Sequence, residues 1–198
     1  MFKLRELERS DLREINLWRN KPDLIDFLGA PFRYINYEVD ENWFNSYMNN
    51  RGNTVRCSII ECDENGVKCP EKLIGIISLT DINYINQTAI MHIMIGKNEN
   101  QGRGAGFFSI NTMLKHAFYN LNLNRITLTV LTTNIRAIHL YEKCGFILEG
   151  KHLQAIYKNG KFVDTFSYAI LKQNWKLPES NHPENSYVCV FGERNSHL

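Results

Sequence analysis

Apolar and polar positions alternate along this chain in two rhythms. A period of two, which marks a strand with one buried face, opens it at Phe2-Lys3-Leu4-Arg5 and returns over 54–61, 72–80 and 88–96. It recurs over 125–131, where Ile126, Leu128 and Val130 share a face, and over 146–157 and 162–171. Between these runs the spacing lengthens to that of a helix. Leu12, Ile15, Leu17 and Trp18 mark the first helix, with Ser10 as its N-cap and Asn20-Lys21-Pro22 as its stop. A short helix is predicted over 23–31, ending at Gly29, and a clearer one over 39–49, with Trp43, Phe44, Tyr47 and Met48 on one side. Phe107, Ile110, Leu114, Ala117, Phe118 and Leu121 define a fourth, and the last starts after Asn134 and runs to Cys144. Lys158-Asn159-Gly160-Lys161 reads as a tight hairpin turn, and 63–70 as an exposed loop. Strands, glycine turn, helix, strand, helix and closing hairpin together predict an α+β layer on one central sheet.

Composition narrows the picture. The 198 residues suffice for one full core and are short for two. With 43% apolar and 22% charged residues the chain reads as soluble and globular. A formal net charge of +2 gives no case for nucleic-acid binding. No apolar run approaches the roughly 20 residues of a membrane span, and the charged opening cannot serve as a secretion signal. The five cysteines (57, 62, 69, 144 and 189) are an odd set without a C-x-x-C pair, so they read as free thiols in a reducing cytoplasm, with no metal framework. Cys144 reads as a small apolar filler. After Trp175 the chain turns polar, so a domain over 1–176 with a tail over 177–198 is expected; its apolar piece, 186–191, is either an edge strand or a loose terminus.

The candidate chemistry centres on Gln101-Gly102-Arg103-Gly104-Ala105-Gly106, between the strand at 88–96 and the fourth helix. Glycines at a strand-to-helix turn admit a ligand close to the backbone, and bare N–H groups at a helix start attract phosphate. The Gly-Lys-Ser/Thr of a Walker loop is absent, and the glycine spacing does not fit a dinucleotide fingerprint. Further on stands Asn134-Ile135-Arg136-Ala137-Ile138-His139-Leu140-Tyr141-Glu142-Lys143-Cys144-Gly145-Phe146.

Together these two segments resemble the GCN5-related N-acetyltransferases (GNAT), whose pattern is Gln/Arg-x-x-Gly-x-Gly/Ala followed by Asn…Tyr-Glu-Lys-x-Gly-Phe. The resemblance implies a three-layer α/β/α GNAT fold, a twisted, mostly antiparallel mixed sheet with helices on both faces. It implies acetyl-CoA as cosubstrate, held at its pyrophosphate by the backbones of Gln101, Gly102, Arg103, Gly104, Ala105 and Gly106, with the Arg103 charge in support. It places the pantetheine arm along Ile93, Met94 and Ile95, where two parallel strands splay, with Asn134 helping to hold it. Asn134 reads equally as a helix N-cap. Tyr141 matches the tyrosine that protonates the departing thiolate, although its register also suits packing.

Several relatives place a glutamate base before the glycine turn, whereas Ala89-Ile90-Met91-His92-Ile93-Met94 carries no carboxylate. His92 is the titratable group there, readable as a base or as a buried, hydrogen-bonded core residue. A water chain or Asp81 could also take the proton. Leu17-Trp18-Arg19-Asn20-Lys21-Pro22 with Glu41-Asn42-Trp43-Phe44 resembles the RimJ/RimL-like branch, which includes acetyltransferases for protein N-termini, PseH-type amino sugars and small amines. Arg19 is an acceptor contact or a structural ion-pair partner, and Phe32, Arg33 and Tyr34 are candidate substrate contacts. The expected function is acetyl transfer from acetyl-CoA to a primary amine by direct attack in a ternary complex. The alternative is a non-catalytic acyl-CoA-binding regulatory protein. Expected partners are the two substrates, with a homodimer of this chain as an open alternative to a monomer, and neither nucleic acid nor membrane.

Overall fold

The computed structural model describes residues 1–62, 72–96 and 102–178. Its strands are β1 (Phe2–Glu6), β2 (Val55–Glu61), β3 (Lys72–Asn83), β4 (Thr88–Ile95), β5 (Arg125–Leu131), β6 (Ile147–Lys158) and β7 (Lys161–Leu171). Helices α1 (Leu12–Arg19), α2 (Pro22–Ile25) and α3 (Tyr37–Asn49) stand between β1 and β2. Helix α4 (Ala105–Lys115), extended by a π turn at His116–Asn120, follows β4, and α5 (Ile135–Lys143) follows β5. One seven-stranded sheet runs in the order β1-β2-β3-β4-β5-β7-β6, antiparallel throughout except for the β4–β5 pair.

The two-residue period sorts the sheet's side chains onto two faces. Ile77 and Leu79 of β3, Ala89 and Met91 of β4, and Ile126, Leu128 and Val130 of β5 form the larger core with Ile110, Met113 and Leu114 of α4 and Ile138 and Tyr141 of α5. On the opposite face Met94 and the half-buried Ile76 meet Leu12, Ile15 and Trp18 of α1 and Phe44 and Tyr47 of α3. Leu12 and Ile15 are fully buried, each worth about 1.5–3 kcal/mol. Trp18 has no neighbour but glycine to lie against at one point, since a Cβ on Gly96 would fall 2.0 Å from its ring.

Local differences from the sequence expectations have physical causes. Ser10 is not the N-cap of α1; Glu8 and Asp11 close a reciprocal capping box around a 3₁₀ turn at Arg9–Asp11. The helix expected over 23–31 shrinks to four residues because distant side chains claim its end. Lys158 Nζ donates to the Ile25 carbonyl at 2.5 Å, and Asn159 Nδ2 donates to Asp26 at 3.0 Å. On α3, Met48 is exposed rather than part of the buried stripe. The hairpin turn stands as expected, with Asn159 and Gly160 both at positive φ (48° and 80°), as a type I′ turn requires. The loop at 63–70 and the tail strand at 186–191 lie outside the described residues. Among those described, no helix is long and apolar enough to cross a membrane. Cys57, Cys62 and Cys144 are free thiols.

Candidate active site

Strands β4 and β5 pair over three residues, Thr88–Arg125, Ala89–Ile126 and Ile90–Thr127, and then part. Beyond that point β4 stays bonded to β3 as far as Ile95, while β5 continues on β7 as far as Leu131. The edge of β4 that faces β5 over Met91 to Ile95 is therefore an open ladder, whose N–H and C=O groups have no strand partner on that side. Ile93, Met94 and Ile95 lie on this edge. An extended, amide-bearing ligand can complete it as an added strand.

The glycine turn stands at the mouth of this opening. Gly104 is the N-cap of α4 at φ 90°, with Gly102 at φ 78°, and no side chain caps the helix. Its first-turn N–H groups are thus left for an anion, as the positive helix end favours. Gly106 lets α5 approach, since a Cβ there would lie 2.8 Å from Leu140 Cδ2. Arg103 is 51% exposed and bound to Glu61 at 2.5 Å, so a carboxylate on β2 shares its charge. Gln101 lies outside the described residues. A cation that the sequence did not flag also reaches the mouth: the place of a Cβ on Gly102 lies 3.1 Å from Arg136 Nη2. Its position two residues after the Asn134 cap was the available signal.

Asn134 caps α5, accepting from the Ala137 N–H at 3.1 Å, and donates to the Phe27 carbonyl at 2.9 Å. The cap role is thus fulfilled, and the same side chain ties α5 to the segment after α2. Tyr141 is 8% exposed and meets Phe146 edge-on at 6.0 Å. Burial, then the adjacent Cys144, pushes its phenol up to about 12. Burial likewise pushes the Cys144 thiol up to about 12, with Asn111 Nδ2 at 3.7 Å. A thiol so enclosed stays protonated and acts as filler, not nucleophile.

On the other face, Arg56 of β2, Ser78 of β3 and His92 of β4 are successive cross-strand partners. His92 is hydrogen-bonded, its Nε2 3.1 Å from Thr80 Oγ1, yet it is exposed rather than a core residue. Crowding around the ring, then the Arg56 charge, holds its pKa below the usual value, against the pull of Asp81. Its exposure limits the crowding effect, but both leading causes favour the neutral imidazole, which is the form a base needs. Arg56 lies 4.5 Å over the Trp43 ring, and its Nε is buried without a hydrogen-bond partner.

The remaining candidates are less closely gathered. Trp18 is buried and donates to Glu14 at 3.0 Å, so it is structural. Arg19 is ion-paired with Asp40, whose side chain is 0% exposed, and lies 5.9 Å from the Trp43 ring centre. Phe32 and Tyr34 meet edge-on at 5.1 Å in the loop before α3, with Tyr34 91% and Arg33 also exposed. Asn20 anchors that loop by bonds of 3.0 and 2.8 Å to the Ile35 backbone.

Residues 2–147 match the model of the acetyltransferase (GNAT) domain. Spermidine N(1)-acetyltransferase of Vibrio cholerae is 34% identical over 173 residues, covering 87% of this chain and 94% of that protein. Its counterpart in Escherichia coli K12 is 28% identical over 182 residues, covering 91% of each. A crystal structure of the Vibrio enzyme in complex with CoA and spermine superimposes with a TM-score of 0.78 at 32% identity, over 87% of this chain and 96% of that one. The mixed seven-stranded sheet is thus the fold shared with spermidine acetyltransferases.

Proposed function

The chain belongs to the GNAT family and is an acetyl-CoA-dependent N-acetyltransferase, and from that premise we propose that its acceptor is a linear polyamine such as spermidine, acetylated on a primary amine. The observation that carries the acceptor class is the likeness to the Vibrio spermidine enzyme across 94% of that protein's length. A finer placement within the RimJ/RimL-like branch has less support than this kinship with polyamine enzymes.

Acetyl-CoA, when bound, supplies the acetyl group as an activated thioester. In our reading the first turn of α4, from Gly102 to Gly106, receives the pyrophosphate, with Arg103 and Arg136 as nearby cations. The open edge of β4 at Ile93, Met94 and Ile95 orients the pantetheine arm, and the amide of Asn134 flanks it. His92 accepts the proton that the amine gives up. Tyr141 presents a protonated hydroxyl to the departing sulfur. His92 supplies the base that a non-catalytic acyl-CoA sensor would lack. The functional unit is taken to end near residue 176, and self-association, foreseen as a homodimer, is open to light scattering.

One observation favours a second acceptor class. Arg56 meets no carboxylate among the described residues, and Arg33 is exposed nearby in sequence to the aromatic pair Phe32 and Tyr34. Such cations suit an amine carried on an anionic scaffold, as in a nucleotide-linked amino sugar. Thiol-release assays with spermidine, spermine, a nucleotide-linked amino sugar and an N-terminal peptide separate the two. The highest kcat/KM is expected on spermidine or spermine. A tenfold or greater preference for the sugar nucleotide would replace the polyamine reading with the second.

A further inference from the structure

Strand β3 carries one residue too many for its partner. Its ladder with β4 holds from Gly75–Ile95 to Thr80–Ile90 and resumes only at Asn83–Thr88, so Asp81 and Ile82 stand opposite Ala89 alone. This is a β-bulge, a device that re-aims a side chain. At the bulge Asp81 takes φ 51°, a left-handed conformation that few residues other than glycine, asparagine and aspartate adopt readily. The outcome is a chain of three polar groups. Thr80 Oγ1 donates to Asp81 Oδ2 at 3.2 Å, and the same Oγ1 stands 3.1 Å from His92 Nε2.

A threonine hydroxyl has one hydrogen to give, and a carboxylate can only accept. With that hydrogen directed to Asp81, the contact with His92 is a hydrogen bond only if Nε2 carries a proton and donates it to Thr80 Oγ1. Nδ1 is then bare. We propose that Thr80 and Asp81 are positioning residues that hold His92 as the Nε2–H tautomer, so that Nδ1 takes the proton from the acceptor amine. This rests on the reading of His92 as the base. When the amine nitrogen bonds to the acetyl carbon, its N–H bond breaks and the proton passes to Nδ1, while the carbon–sulfur bond breaks and CoA leaves as the thiolate toward the Tyr141 hydroxyl. The imidazolium so formed donates from Nε2 through the Thr80 hydroxyl toward the Asp81 carboxylate, with no further proton transferred. Exposure of His92 lets Nδ1 return the proton to solvent.

The charges facing His92 divide the work. Arg56, from β2, favours the neutral ring before the step, and Asp81, from β3, favours the charged ring after it. Arg19 of α1 and Asp40 of α3 are paired with each other. Asp81, an alternative base from sequence alone, instead stands one hydroxyl behind the imidazole.

Long-range proton–nitrogen NMR of the histidine-labelled protein reads the tautomer directly and does not depend on activity. Above the pH at which the ring loses its charge, His92 is expected as Nε2–H in the wild type. In Thr80→Val the two tautomers should mix, and in Thr80→Ser the Nε2–H form should return. In turnover, Thr80→Val should lower kcat/KM for the amine by about ten- to a hundredfold with the KM for acetyl-CoA unchanged. Asp81→Asn, which keeps the left-handed backbone accessible, should move the acidic limb of kcat/KM to lower pH, because an anion that stabilised the charged ring is gone. An Nδ1–H wild type, or a Thr80→Val variant with unchanged tautomer and rate, would overturn the relay. Full activity in His92→Ala would instead remove the base reading, whatever the tautomer shows.

Discussion

Replacing Tyr141 with phenylalanine separates what its ring does from what its hydroxyl does. The ring is 8% exposed and meets Phe146 at 6.0 Å, so phenylalanine preserves the packing. The hydroxyl sits where burial and Cys144 move its pKa from 10.0 to about 12. Two pKa units amount to about 3 kcal/mol in favour of the protonated form. At neutral pH the phenol therefore always holds its proton, as a donor must. Complete transfer to a thiolate of ordinary pKa, about 8.5, would run uphill by about 5 kcal/mol. If Tyr141 has the proposed acid role, its hydroxyl is expected to act first as a hydrogen-bond donor to the departing sulfur, with transfer completing only where the same dry surroundings raise the sulfur's own pKa.

Stability should respond far less than activity. No hydrogen bond contributes to the Tyr141 shift, and its hydroxyl is not among the buried polar atoms left without a partner, so removing it neither breaks a bond nor relieves a desolvation penalty. Tyr141→Phe is thus expected to leave the melting temperature nearly unchanged, to lower kcat by about a hundredfold or more, and to leave the KM for acetyl-CoA nearly unaltered. The alkaline limb adds a check. Because the folded-state pKa is raised, this stabilisation is full below pH 10 and is lost as pH rises through about 12. The wild type should lose up to about 3 kcal/mol across that window that the variant keeps. Thiol-release kinetics at saturating acceptor and calorimetry across pH measure both halves. Full turnover in the variant would remove the acid role, and a fall of several degrees in melting temperature would show the hydroxyl to be structural.

Two further outcomes test the opposite face and the mouth of the cleft. With the His92 pKa held down by crowding and by Arg56, the acidic limb of kcat/KM should lie below that of an ordinary histidine; Arg56→Met should move it upward and Arg56→Lys should restore it, whereas a limb unmoved by Arg56→Met would uncouple the two side chains. Gly104→Ala places a Cβ in open space but at φ 90°, so about 1 kcal/mol of backbone strain is expected together with several-fold weaker acetyl-CoA binding by calorimetric titration; unchanged affinity would show that the first turn of α4 does not hold the nucleotide.

The parts of this molecule legible from sequence are those whose cause is local. The alternation over 125–131 is β5 to the residue, because a strand held along β7 with one face on the core must alternate. The glycine turn was legible because a chain that must pass through positive φ at 102 and 104 writes glycine there. Ser10 misled because Asp11, its neighbour, is claimed by Arg5 through two 2.8 Å bonds and by Ser58 at 2.6 Å, and the helix start follows that network. The shortened α2 answers to Lys158 and Asn159, residues too distant in sequence for any local pattern to register.

The face that carries His92 was hidden for a related reason, which is register. On β4 the odd positions 89 and 91 are buried, while His92 on the even side is open; an apolar strand in isolation gives no sign which face a helix will leave bare. Here α1 and α3 cover that face at Met94 but not at Ile90 and His92, so the helices decide whether the imidazole is core or open to solvent. The row Arg56, Ser78, His92 exists only because two antiparallel pairings bring three separate strands into line, and a slip of one residue in either would turn a member of it into the opposite core. The bulge at Asp81 belongs to the same logic, since it absorbs one extra residue just past Thr80 and leaves the His92 register intact. Chemistry carried by the backbone therefore leaves a residue-type signature in the sequence, whereas chemistry assembled from side chains across strands becomes legible only once pairing is known.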